Sequence, residues 1–209
     1  MKLRPKHQRD VLDRYYTDDR DAERCVAVIQ PWLPTRGYIV EPSVGAGAFV
    51  HALRQVTTVP ILGVDVDPTA PALRGGWDHQ IPWNDLTAEG RARALLHRPH
   101  LGVWAEWVSW RPIDLHVAAV VGNPPYNEAL EHVEHALELA QGGLVAMLLP
   151  LAFRTSRKRS TFWRTYPAPV TRAFEDRPSF TGDNKTDSRD YALYVWGDHV
   201  PPEHGMGKV

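Results

Sequence analysis

The stretch VAAVVGNPPYN, residues 117–127, decides how this chain reads. Its first half is a short apolar run rich in Val, the composition of a strand buried on both faces. Two consecutive prolines then end it, because each fixes φ and lacks an N–H donor. The run is therefore predicted to stop abruptly and to present Asn123, Pro124, Pro125 and Tyr126 at the carboxyl end of a strand.

Outward from this point, strand and helix signals alternate, the pattern of an open α/β sheet. Strands are predicted at 37–41, 60–65, 100–108, 116–122 and 144–150, with two more at 170–176 and 190–197. Helical spacing marks 48–56 and 127–143, the latter with Leu130, Val133, Leu137 and Ala140 on one face and paired glycines at its end. Residues 154–167, RTSRKRSTFWRTYP, read as a basic helix, and 197–209 as a loosely ordered tail. Residues 66–99, rich in Pro, Gly and Trp, are the least readable.

The bulk numbers bound the function. The 209 residues suit one domain, and 43% hydrophobic content is ample for its core. A net charge of −1 announces no global basic field, so any nucleic-acid surface must be local. Cys25 is the single cysteine, which excludes an internal disulfide and suits a reducing cytosol. The longest apolar run is well short of the ~20 residues of a membrane helix, and no leader opens the chain. A soluble cytoplasmic protein with no membrane partner is expected.

In open α/β sheets ligands bind beyond the carboxyl ends of the strands. The first strand ends in EPSVGAGAFV (41–50), where Gly45 and Gly47 allow a tight turn and close backbone approach; a plain strand-to-helix turn would look the same. No Lys-Ser/Thr follows, so this is not a phosphate loop. The second strand ends in GVDVDP, placing Asp65 24 residues after Glu41. An acid at that place commonly accepts from ribose hydroxyls.

Taken in order, EPSVGAGAF, GVDVDP and GNPPY resemble the class I S-adenosylmethionine-dependent methyltransferases, specifically those that methylate the N6 amine of adenine. DRYYTD (13–18) is similar to that group's Tyr-Tyr-Thr-Pro segment, with Asp18 in place of Pro. AEWVSWRP (105–112) is similar to its acid–aromatic–x–x–Trp–x–Pro run. Residues 177–196 resemble the carboxyl-terminal stretch of phage and mobile-element DNA adenine methyltransferases.

The resemblance implies a Rossmann-like, doubly wound, mostly parallel seven-stranded sheet with an antiparallel last strand. It implies S-adenosylmethionine as cofactor, and a single methyltransferase domain over 1–209 with a cofactor-capping segment at 1–36. Glu41, with Pro42, would serve the methionine end, Gly45 and Gly47 would admit the backbone, and Asp65 would hold the ribose. Glu106 and Asp85 compete for the cofactor adenine, and spacing to the NPPY strand favours Glu106. Tyr16 and Thr17 would cover the cofactor, with Thr17 as a helix N-cap.

The chemistry of an adenine amine fits the NPPY corner. Its lone pair is delocalised into the ring, so two acceptors, the Asn123 amide oxygen and the Pro124 carbonyl, would draw both N–H groups and aim the lone pair at a methyl group. Asn123 also borders the cofactor. Pro125 would stiffen the corner, Tyr126 would stack on a flipped base and Phe180 would take its other face. Tetrads beginning with Asn are usual for adenine and for protein glutamine.

Between Arg154 and Arg172 six cations stand with no acid among them, and Phe162, Trp163 and Tyr166 interleave. Arg154, Arg157 and Lys158 are the candidates for contacts to a nucleic-acid backbone. Trp104, Trp107 and Trp110 read as core fillers. His132 and His135 do not match metal-protease spacing and are assigned to a solvated helix face; no metal is expected. No separate target-recognition domain is legible, which leaves relaxed recognition or a protein partner that supplies it. The expected activity is methylation of adenine N6 in DNA. The alternatives are RNA adenine, protein glutamine, or a non-catalytic subunit that keeps only cofactor or nucleic-acid binding.

Overall fold

The computed structural model describes residues 16–67, 70, 80–82, 100–112, 115–167, 170–178, 189–202 and 207–209. Its centre is a sheet whose strands are β1 (Tyr38–Glu41), β2 (Ile61–Asp65), β3 (Gln80–Pro82), β4 (His100–Trp104), β5 (Val117–Gly122), β6 (Leu144–Pro150), β7 (Val170–Ala173), β8 (Tyr191–Trp196) and β9 (Gly207–Lys208). The strand order is β3-β4-β2-β1-β5-β6-β8-β7-β9. All neighbours run parallel except β8, which is antiparallel to both β6 and β7.

The described sheet thus has nine strands, not the seven expected. The two additions, β3 and β9, are short pieces on the outer edges. The antiparallel strand is β8, and a further strand follows it in the chain. β9 also overturns the reading of the tail as a loose end. Gly207 and Lys208 pair with Arg172 and Ala173, and the Val209 carbonyl accepts from Arg24 at 3.0 Å. Backbone pairing gives this polar tail a place that its composition does not announce.

Both faces of the sheet are covered, which is why the central strands are apolar throughout. On one face Ile39, Ile61, Val121, Leu144 and Leu193 pack under α1 (Asp19–Ile29) and α2 (Ala48–Arg54). α1 buries Ala22, Cys25, Val26 and Ile29, the spacing of a helical stripe, and Asp18 caps it by accepting from Arg20 N–H at 3.0 Å. The N-cap is therefore Asp18 and not Thr17. On the other face Val40, Leu62, Val120, Val145 and Met147 pack under α3 (Ala129–Ala140), with Trp107 and Trp110.

α3 is rotated from its expected setting. Leu130 and Leu137 are only half-buried, whereas His132 and His135, assigned to solvent, are each 4% exposed. Trp107 and Trp110 cover that flank, and the imidazoles keep partners: His132 Nδ1 lies 3.0 Å from the Glu128 carbonyl and His135 Nε2 2.9 Å from the Trp110 carbonyl. Satisfied hydrogen bonds make such burial tolerable.

The basic segment is not one helix. α4 (Ala152–Thr155) stops at Ser156, which is extended (φ −76°, ψ 126°), before a 3₁₀ turn at Arg157–Arg159 and α5 (Ser160–Thr165). The third expected strand is also shorter. It ends at Trp104, because Trp107–Ser109 wind into a 3₁₀ turn bonded back to the Glu106 carbonyl.

Between α3 and β6, a Cβ on Gly143 would press on the backbone carbonyls of Ala118 and Ala140, neither of which can swing aside. Gly143→Ala should lower the unfolding free energy by about 2 kcal/mol. A shift in the urea midpoint with unchanged slope would show it; an unchanged midpoint would contradict the close packing of this turn.

Candidate active site

Strand order reverses at β1, which has β2 on one side and β5 on the other. Crevices at such a reversal are where open α/β sheets take ligands. Here the crevice lies beyond Glu41 and Gly122.

The turn after β1 is tied down by backbone donors. Ser43 N–H donates to Glu41 Oε1 at 3.2 Å, Val44 N–H to the Val64 carbonyl at 3.0 Å, and Gly45 N–H to Asp65 Oδ2 at 2.9 Å. Gly45 is left-handed (φ +48°), and a Cβ there would lie 2.9 Å from the Tyr16 ring. Gly47 is left-handed as well (φ +92°) and starts α2. Asp65 Oδ1 also accepts from Asp67 N–H at 2.8 Å, so backbone donors hold both carboxylate oxygens.

Glu41 is 1% exposed. Burial pushes its carboxyl well above the usual range; the Ser43 N–H opposes this and the charge of Asp65 adds to it. Its room comes from Gly122, where a Cβ would collide with Glu41 Oε1.

At the end of β5, Asn123 is 9% exposed and its Nδ2 donates to Thr17 Oγ1 at 3.0 Å. That bond spans 106 positions of chain and sets the amide's orientation. Asn123 Oδ1 is buried with no hydrogen-bond partner among the described residues. Beyond it Pro125 (φ −57°, ψ 127°) leads into a 3₁₀ turn at Tyr126–Glu128. A buried acceptor left open is costly, and such groups concentrate where a donor is to arrive.

The cleft is lined by Tyr16, Pro42, Gly45, Asp65, Glu106, Asn123, Pro124 and Pro125, all singled out from the sequence. An adjoining smaller cavity adds Thr17, Glu41 and Gly47. Residues not foreseen here are Ser43, Val66, Trp107, Val108, Glu128 and His132. Val66 is a large apolar side chain left 53% exposed at the cleft. Its signal was available: an apolar residue directly after the strand-end acid.

Other assignments fall elsewhere. The Tyr126 ring packs 5.5 Å from Tyr191, against one core face rather than on the cleft wall. Arg154 and Arg157 line a separate groove after β6, with Lys158 exposed beside them. Asp85 and Phe180 lie outside the described residues. Trp107 and Trp110 are buried, as core fillers should be. No group of three or more His, Cys, Asp or Glu suited to a metal occurs among the described residues, and no described helix is long and apolar enough to cross a membrane.

No protein-family model and no curated protein sequence matches the chain. Solved structures do. A candidate RNA methyltransferase from Pyrococcus horikoshii aligns with TM-score 0.63 at 14% identity, over 95% of each chain. A candidate class I S-adenosylmethionine-dependent methyltransferase from Listeria monocytogenes aligns with TM-score 0.64 at 14% identity, over 96% of this chain and 67% of that one. The 23S rRNA methyltransferase ErmE aligns with TM-score 0.58 at 17% identity, over 92% and 73%. At such identity the likeness establishes the fold, that of the class I methyltransferases, with a mostly parallel sheet and an antiparallel strand near its carboxyl end.

The buried Glu41 gives a signed pH dependence. Its folded pKa is raised, so the folded state holds the proton more tightly than the unfolded chain does. Stability from this group is present below the unfolded pKa of about 4.3 and is lost as pH rises toward the folded value. Glu41→Gln lacks this loss. The melting temperature of the Gln variant minus that of the wild type should therefore grow as the pH rises above the unfolded pKa; a flat difference would contradict the raised pKa.

Proposed function

We propose that the chain transfers a methyl group from S-adenosylmethionine to the exocyclic N6 amine of adenine in DNA. The observation that carries this is the open acceptor pair at the Asn123–Pro124 corner, set beside the cleft at the strand ends. Asn123 Oδ1 is buried without a partner, and among the described residues nothing donates to the Pro124 carbonyl. Two acceptors on a rigid corner match an amine with two N–H bonds.

The lining fits the cofactor's parts. Asp65 suits ribose hydroxyls, Val66 and Trp107 suit the faces of a purine, and Glu106 suits its amine. Glu41 and the glycine turn suit an aminoacyl end. When bound, S-adenosylmethionine supplies a methyl group whose C–S bond breaks as the amine's N–C bond forms. Asn123 Oδ1 and the Pro124 carbonyl accept the amine's N–H bonds, which withdraws its lone pair from the ring and directs it. Thr17 keeps the amide in that orientation. The proton released after transfer passes to water, so the site needs no strong general base.

The preference for DNA rests on the resemblance of the motifs to DNA adenine methyltransferases. RNA adenine is the second reading, because two structural neighbours carry RNA or rRNA methyltransferase in their names. In either case the backbone would track over the segment after β6. Arg157 and Lys158 are exposed there. Arg159 is spent on the fold, with its guanidinium 4.4 Å from the centre of the Phe153 ring and a bond to the Phe153 carbonyl at 3.2 Å.

Labelled S-adenosylmethionine offered with duplex DNA, single-stranded DNA and RNA, followed by nucleoside mass spectrometry, tests the substrate. N6-methyladenine in DNA is the expected product; label confined to RNA would overturn the DNA assignment. Asn123→Ala should retain cofactor binding and lose turnover by about 10²-fold or more. Equal activity would remove Asn123 from the reaction. Replacing Arg157 and Lys158 together by Ala should reduce the steepness of log K against log salt by about 2 for duplex binding; an unchanged slope would move the backbone track elsewhere.

A further inference from the structure

His132 has no part in the scheme so far, yet it stands in the cleft wall, 4% exposed. The Glu128 carbonyl lies 3.0 Å from its Nδ1. A carbonyl oxygen can only accept, so Nδ1 carries the hydrogen and Nε2 is a bare lone pair. Among the described residues nothing donates to Nε2. Burial lowers the pKa to about 4, so the ring is a neutral acceptor at ordinary pH.

Further bonds tie this part of α3 to the turn after β4. The His132 carbonyl accepts from Trp107 Nε1 at 3.2 Å, and the Trp107 ring meets His135 edge-on at 4.9 Å between centroids. His135 is itself bonded to the Trp110 carbonyl. Trp107, Glu106 and His132 therefore form one fixed wall of the cleft. Two of the lining residues carry acceptors, the Glu106 carboxylate and His132 Nε2, and among the described residues neither is occupied by a side-chain donor.

We infer that His132 Nε2 accepts a hydrogen bond from the 6-amino group of the cofactor's adenine, sharing that group's two N–H bonds with Glu106. The inference rests on the S-adenosylmethionine reading of the cleft. It makes His132 a specificity residue. A 6-oxo purine would bring an acceptor against two acceptors, and a site built of unpaired acceptors rejects such a ligand strongly.

Calorimetry with S-adenosylhomocysteine and its 6-oxo counterpart, S-inosylhomocysteine, tests this on wild type, His132→Phe and His132→Gln. Wild type should prefer the adenine form by about 10²-fold or more. His132→Phe should lose about tenfold toward the adenine form and little toward the 6-oxo form, so that its discrimination shrinks. His132→Gln, which keeps an acceptor near the Nε2 position, should recover most of the loss and control for folding. Equal weakening toward both ligands, or unchanged affinity for the adenine form, overturns the inference alone. Failure of wild type to bind S-adenosylhomocysteine overturns the cofactor reading, and the inference with it.

Discussion

The close approach of β1 and β5 governs the rest of the molecule's working edge. The Glu41 carboxyl occupies the space that a side chain on residue 122 would need, so the two strands can end side by side only because residue 122 is glycine. From that junction β1 turns back through Gly45 and Gly47 into α2, while β5 runs straight into Asn123 and the prolines. The strand-end acid of β2 then fastens the glycine turn through the Gly45 N–H. Three strand ends are thus bonded or packed to one another before any ligand is considered.

A second layer of order comes from beneath the sheet edge. Trp107 reaches the backbone of α3 through its indole N–H, and His135 reaches back to the Trp110 carbonyl. These reciprocal bonds join the turn after β4 to the helix after the prolines, the two elements that flank the cleft. Such mutual bracing keeps polar groups in place to within fractions of an ångström, which orientation-dependent chemistry demands. Thr17 plays the same part from the opposite side, fixing the Asn123 amide from the approach to α1.

Much of this was legible in the chain because its signals are local. An apolar run closed by an acid, a glycine pair or a proline pair declares both the strand and its carboxyl end, whatever lies elsewhere. Glu41, Gly45, Asp65 and Asn123 were all found in this way, and all meet at the cleft. The histidines of α3 were misread for the opposite reason. EHVEH looks like a polar helix face, and only the Trp107–Trp110 turn packed over it makes that face internal. The tail was misread likewise, since two residues pairing with β7 carry no pattern of their own.

The sequence by itself determined the α/β alternation, the positions of the strand ends and the chemical groups set there, because φ restriction, periodicity and strand composition act over a few residues. Tertiary structure alone decided which way α3 faces, that Tyr126 packs on Tyr191, that Asp18 rather than Thr17 caps α1, and that His132 lines the cleft. Each of these depends on a partner distant in the chain, and the energy of a contact exists only once both sides have been brought together.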